Sequence, residues 1–222
     1  MLPGAIVTLD PVGKAGCEKG KERPAVIVHS FGPTLLVVPI TDSSKKAIPT
    51  HHPIPAFNSG TQVKPALATC EHSLAASPAR LLRRVGAESL DANDLAGVRR
   101  CLGIALGLTP APTAPPGEPD VKRGEFVEMD FGSQPAPEAS GIKWALVLSN
   151  DTGNYYGRHY LVAPFSKTPG VSSVELPGAQ GYVDLGQLRV ADKVRLTANT
   201  KRLRASAADL SRVEDGLRAI LQ

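Results

Sequence analysis

The chain repeats itself. Gly4-Ala-Ile-Val-Thr-Leu-Asp10 matches Gly124-Glu-Phe-Val-Glu-Met-Asp130, and Ala25-Val-Ile-Val28 matches Ala145-Leu-Val-Leu148, both at an offset of 120 residues. Val37-Val-Pro-Ile-Thr41 matches Val162-Ala-Pro-Phe-Ser166 at 125, which predicts a longer turn through residues 150–154 in the second copy. Arg80-Leu81 matches Arg195-Leu196, and Asp94, Leu95, Val98 and Leu102 match Asp209, Leu210, Val213 and Leu217, all at 115. Blocks that recur in one order mean a tandem of similar units, expected over residues 1–108 and 121–222. Residues 109–120 between them carry five prolines in 12 positions. That composition favours extended polyproline II and excludes a helix or central strand. At about 3.1 Å per residue such a tether reaches roughly 35 Å, enough for the units to pack side by side.

Inside each unit the early segments are short β-branched runs. Ala5–Leu9, Ala25–His29 and Leu35–Ile40 in the first, and Phe126–Met129, Ala145–Ser149 and Tyr160–Phe165 in the second, read as strands. The closing segments Asp91–Leu106 and Ala207–Leu221 space their leucines and valines as a helical stripe. Ser206 with Asp209 three residues on suits a helix start, and Gly107 suits a helix stop. The expected fold is therefore mainly β with helices (α+β), a pair of small antiparallel barrels or sheets, each ending in a packed helix.

With 42% hydrophobic residues and 21% charged, the 222-residue chain has the composition of a soluble globular protein rather than a disordered one. No run approaches the roughly 18 to 20 apolar residues of a membrane span, and Met1-Leu2-Pro3-Gly4 lacks the start of a secretory signal, so a cytoplasmic location is expected. Cys17, Cys70 and Cys101 are odd in number, far apart and form no CxxC pair. This speaks against a disulfide framework or structural zinc and for a reducing compartment. The net charge of +4 lies in the first half, which holds 12 Lys/Arg against 8 Asp/Glu, while the second half balances. A modest basic surface of this kind is compatible with a polyanion partner.

Gly4-Ala-Ile-Val, then Gly16-Cys-Glu-Lys-Gly-Lys-Glu-Arg23-Pro24, then Val37-Val-Pro-Ile-Thr41, Cys70-Glu71-His72 and a final amphipathic helix together resemble the MazF/PemK/Kid toxins, small bacterial endoribonucleases of toxin–antitoxin systems. The resemblance covers residues 3 to 107 and, more weakly, 122 to 221. It implies SH3-like barrels of the CcdB type, paired as the family's homodimers are, here as a single-chain pseudodimer. It also implies metal-independent, sequence-selective cleavage of single-stranded RNA without a cofactor, and a cognate antitoxin protein as partner.

Cleaving an RNA phosphodiester without metal needs a base for the ribose 2′-OH, a cation for the phosphorane and an acid for the leaving oxygen. Arg23 offers a planar, permanently charged fork for the phosphate. Thr41 offers a hydroxyl. Arg23 and Thr41 match positions the family uses for catalysis, and Glu71 falls where Kid-like members place a catalytic Asp. Cys17 stands where those members have a participating His, so an imidazole is missing, and Thr69 stands where a basic residue is common. Glu18, Lys21 and His72 in the first unit, and Lys143, Ser166 and Arg189 in the second, are the expected RNA contacts. His51-His52, flanked by prolines, read as a loop rather than a metal site.

The second unit has Lys143-Trp144 for Arg23-Pro24, Ser166 for Thr41 and Gly186-Gln187 for Glu71-His72. Lys loses bidentate phosphate geometry and Gly carries no proton, so this half is expected to lack a complete site. Its cations Lys143, Lys167, Arg189, Lys193, Arg195, Lys201, Arg202 and Arg204 remain available to an RNA backbone. Trp144, Tyr155 or Tyr156 can stack a base, or Trp144 can belong to the core. Other functions stay open: a silent RNA-binding or interaction protein of the same fold, or a gyrase poison of the CcdB type, whose Trp-Gly-Ile tail Ala219–Gln222 does not match.

Overall fold

The computed structural model describes residues 2–11, 15–16, 18, 21–44, 48–58, 63–197 and 203–222. The first half runs β1 (Ala5–Leu9), β2 (Arg23–Ser30), β3 (Leu35–Asp42), β4 (His51–Asn58), β5 (Val63–Thr69), β6 (Leu74–Ala76), β7 (Leu81–Ser89) and α1 (Ala92–Ala105). The second runs β8 (Glu125–Asp130), β9 (Ile142–Val147), α2 (Asp151–Tyr156), β10 (His159–Ser166), β11 (Ser173–Leu176), β12 (Gly181–Asp184), β13 (Arg189–Asp192), β14 (Leu203–Arg204) and α3 (Ala207–Ile220). The halves correspond element for element, α2 apart. Their registers correspond too: Val7 opposes Ala25 and Leu9 opposes Arg23, as Val127 opposes Ala145 and Met129 opposes Lys143.

All the strands belong to one antiparallel sheet, whose main path is β14-β8-β9-β10-β13-β6-β3-β2-β1-β7. Read from its middle, the order is the same in both directions. At the centre Leu74 of β6 opposes Arg189 of β13, residues at the repeat offset of 115. Ala75 N donates to Leu188 O at 2.5 Å and Val190 N donates to Ser73 O at 2.8 Å, a pair of bonds that the same offset exchanges. A pseudo-twofold axis therefore passes between β6 and β13, and the halves pair as a dimer would within one chain.

Alternation of side chains sets the two faces of the sheet. One face of the first half buries Val7, Leu9, Ala25, Ile27, Val37 and Leu74, and its counterpart in the second buries Val127, Met129, Ala145, Val147, Val162 and Ala191. Ile6, Val26 and Val38 from one half and Phe126, Leu146 and Leu161 from the other join a single larger core with Val98 and Leu102 of α1 and Val213 and Leu217 of α3. That shared core ties the halves together by the least directional force available.

Two crossed ion pairs bridge the axis. Arg195 Nε donates to Glu18 Oε1 at 2.6 Å, and Arg80 Nη1 donates to Glu138 Oε2 at 2.8 Å. The Glu18 carboxylate is 0% exposed and the Glu138 carboxylate 1%. Each glutamate also accepts a backbone N–H of the opposite half, Glu18 from Asp192 and Glu138 from Ser77. The arginines reach, in turn, Asp130 O and Asp10 O. Every member of one set maps onto the other by the repeat offsets.

Both repeated helices are capped: Asp209 N donates to Ser206, as expected, and Asp94 N donates to Asp91. At the end of α1, Gly107 takes φ +66, while Gly107 N donates to Ile104 O and Leu108 N to Gly103 O. This is the left-handed stop that glycine favours. Two sequence expectations change. His51 and His52 open strand β4 instead of lying in a loop, because β4 pairs only with β5 and an edge strand tolerates Pro53 and Pro55. The turn expected at 150–154 is α2, whose cap is Asn150, accepting from Gly153 N at 2.7 Å. Among the described residues no helix is long and apolar enough to cross a membrane.

Candidate functional site

Arg23 opens β2 opposite Leu9 of β1. On its other side the β2–β3 pairing ends at Ala25 opposite Pro39, so Arg23 and Thr41 each lie two residues beyond it at the same end of the two strands. Thr41 is also where β3 leaves β2 to pair with β5, opposing Leu67. The two expected phosphate-binding side chains thus share one corner of the sheet. Arg23 is half-buried, which pulls its guanidinium below its ordinary value. It lines a narrow cleft with Lys21, Pro39, His72 and, from the second half, Val190.

Glu71 lies on the turn Cys70–His72, which is pinned on several sides. Thr69 Oγ1 donates to Pro39 O, Cys70 Sγ to Val98 O and Ser73 Oγ to Cys70 O. Around the carboxylate, His51 Nε2 stands 2.9 Å from Oε1, Thr50 Oγ1 donates to Oε2 at 2.9 Å, and His72 Nε2 is 3.8 Å from Oε1. Burial works to raise the carboxyl, but the His51 hydrogen bond, the charges of His72 and His51, and its own backbone N–H outweigh it and bring it from 4.5 to about 2. Glu71 is therefore ionised at neutral pH and a poor proton carrier. The neighbouring imidazoles are the groups chemically suited to moving a proton there.

Glu71 opens on a different space from Arg23, and His72, which lines the Arg23 cleft, stands between them beside Glu71. A cavity of about 370 Å³ is lined on the first-half side by Ile48, Thr50, Glu71 and Ile104, and on the second-half side by Asn150, Tyr156, His159 and Leu161. His159 stacks on His72, ring centroids 4.5 Å apart and planes tilted by 32°. Asn150 bonds the walls together: its N donates to Ala105 O and its Nδ2 to Ile104 O, so a second-half side chain caps the last carbonyls of α1. The pseudo-equivalent space, lined by Thr34, Asp184, Gly186 and Gln187, is about 210 Å³ and has no imidazole on its walls. There Thr34, the counterpart of His159, donates its hydroxyl to Gly186 O at 2.6 Å.

The remaining expected residues divide by burial. Lys21 and Lys143 are exposed, and Ser166 bonds Thr168 at 3.1 Å. Glu18, expected to contact RNA, is instead consumed by its ion pair with Arg195. Arg189 is likewise withdrawn: it is 3% exposed, stacked on Phe131 and, through burial, lowered to about 10 despite Glu138 and Glu18 beside it. Both corrections have one cause, the pseudo-twofold axis, which turns their motifs toward the other half. Lys193 donates to Asn154 O and Lys167 to Gln180 O. Trp144 is half-buried against the core. Cys17, Lys201 and Arg202 lie outside the described residues. Sequence reasoning missed His51 and His159; the repeat offset, which sets His159 where the first half has Thr34, was the available signal for the latter.

The model of PemK-like, MazF-like toxins of type II toxin–antitoxin systems matches the chain twice, over residues 2–106 and 122–221. No curated protein matches. Similar solved structures include an endoribonuclease in complex with its cognate antitoxin from a mycobacterial species, at 18% identity over 45% of this chain and 91% of that one, with a TM-score of 0.37. They also include MazE-MazF from Deinococcus radiodurans, at 27% identity over 45% and 94% with a TM-score of 0.37. MazF alone from that organism aligns at 25% identity over 47% and 94%, with a TM-score of 0.39.

Proposed function

Starting from a chain that belongs, in both halves, to the PemK-like, MazF-like toxin family of type II toxin–antitoxin systems, we propose that it cleaves single-stranded RNA at one site, in the first half. The observation that carries this reading is the asymmetry of two pseudo-equivalent places. One holds Arg23, Thr41, Glu71, His51 and His72; the other holds Lys143, Ser166, Gly186, Ser173 and Gln187. In the reaction the 2′-oxygen bonds to phosphorus as the bond to the 5′-oxygen breaks. The 2′-OH proton passes to an imidazole, and the leaving oxygen takes a proton from a protonated one. Arg23, with the Thr41 hydroxyl, neutralises the phosphorane. Glu71 holds His51 in orientation by accepting a hydrogen bond from its Nε2. A cognate antitoxin as inhibitor, a monomeric state and a cytoplasmic site of action complete this reading.

Incubating the purified chain with a long defined RNA in EDTA tests it. Discrete fragments ending in 2′,3′-cyclic phosphate are expected. Intact, retarded RNA would instead favour the silent RNA-binding protein, and cleavage strictly dependent on added metal would exclude the mechanism.

A further inference from the structure

We propose that His159, on the second half, is a positioning residue for His72 on the first, so that the cleavage site is composite and the two rings take up protons in coupled steps. This rests on the RNA-cleavage reading given above. His72 reaches both parts of that site, lining the Arg23 cleft and standing 3.8 Å from Glu71. His159 covers it from β10 at 4.5 Å and lines the same cavity as Glu71. At the pseudo-equivalent place neither ring is present, Thr34 and Gln187 standing there instead.

Two imidazoles in stacking contact cannot both become cations as readily as either alone, so the pair titrates with values that belong to the pair. Over the interval between those steps it holds one protonated and one neutral ring, so His159 sets the protonation state in which His72 meets the RNA. Among the charged groups set around the two rings, Glu71 lies on the turn of His72, Arg23 and Lys21 line its cleft, His51 of β4 shares Glu71, and Asp192 of β13 opposes His159. From α1 comes Cys101, whose thiol is pushed up by burial and stays neutral. Glu71 favours protonation of His72 while Arg23 opposes it, and the contact between the rings makes a proton on one raise the cost of a proton on the other.

The test uses the full chain with His159→Phe, which keeps a stacked ring, His159→Thr, which copies Thr34, and His72→Phe. Proton NMR titration of the imidazole Cε1–H signals is followed in each. In the unaltered chain the second protonation is expected about one unit below the value of the remaining ring in either Phe variant; signals that equal the sum of the two single variants would overturn the proposal. In the RNA assay His159→Thr is expected to lower kcat about tenfold with little change in KM, a fraction of a full general acid–base contribution. His159→Phe should retain more of kcat and move the acid limb of the pH profile. An unchanged profile in both variants overturns the proposal. If the unaltered chain cuts no RNA, the functional reading fails by itself, and the titration still decides whether the rings are coupled.

Discussion

Arg23 and Lys143 occupy matching places in the two halves, opposite Leu9 and Met129, so parallel substitutions compare the two sites directly. Arg23→Ala is expected to reduce RNA cleavage by about 10² to 10³, the usual cost of one transition-state donor, while Lys143→Ala has a much smaller effect. Equal losses in a fragment assay would overturn the single-site reading. Glu71 sets a second expectation, with a definite sign. Its folded value lies below its unfolded one, so its contribution is complete above pH 4.5 and fades as the pH falls toward about 2. A shift of that size corresponds to about 3 kcal/mol, read as the acid-side loss in urea denaturation that Glu71→Gln should flatten. The sequence pointed to Arg23, Thr41 and Glu71 through its resemblance to the toxin family. It did not disclose His51 at the carboxylate, because that contact joins an edge strand to a turn 20 residues away.

Among the elements, the strands and helices with regular patterns were legible, and those whose pattern depends on a neighbour were not. Strand β4 is tolerated despite its prolines only because its outer edge needs no partner. Helix α2 is six residues long, too short for any periodicity to announce, and stands on its Asn150 cap. Asn150→Ala removes that cap together with the donor to Ile104 O, and a loss of about 1 to 2 kcal/mol is expected in thermal or urea unfolding. Gly107 is the other junction. A Cβ there would fall 2.5 Å from Arg123 Nε, whose guanidinium ties Leu106 O and Leu148 O to Glu214 on α3. Gly107→Ala must strain a positive φ and displace that arginine, so it should cost more than the about 1 kcal/mol of an exposed left-handed glycine. A melting temperature unchanged within error would contradict this.

For the whole molecule, the shared core and crossed ion pairs make each half the other's missing surface. The complete chain is expected to run as a monomer in light scattering, since a tether of 12 residues gives the pairing partner an effective concentration near millimolar. Residues 1–108 alone should form a symmetric dimer or aggregate; a monodisperse monomer with unaltered cleavage would refute the pseudodimer. Glu18→Ala leaves Arg195 buried without its counter-charge and should cost about 3 to 5 kcal/mol in urea unfolding, whereas changing both to apolar residues should cost less. The same crossing gives synthesis an order of events. Glu18 is made 177 residues before the arginine that satisfies it. A ribosome that has released only the first half therefore exposes a unit with an unanswered interior charge and one wall of its cavity lacking. On the cleavage reading, a chain stopped before residues 150–161 and Arg195 is expected to be inactive unless it pairs with a second copy of itself.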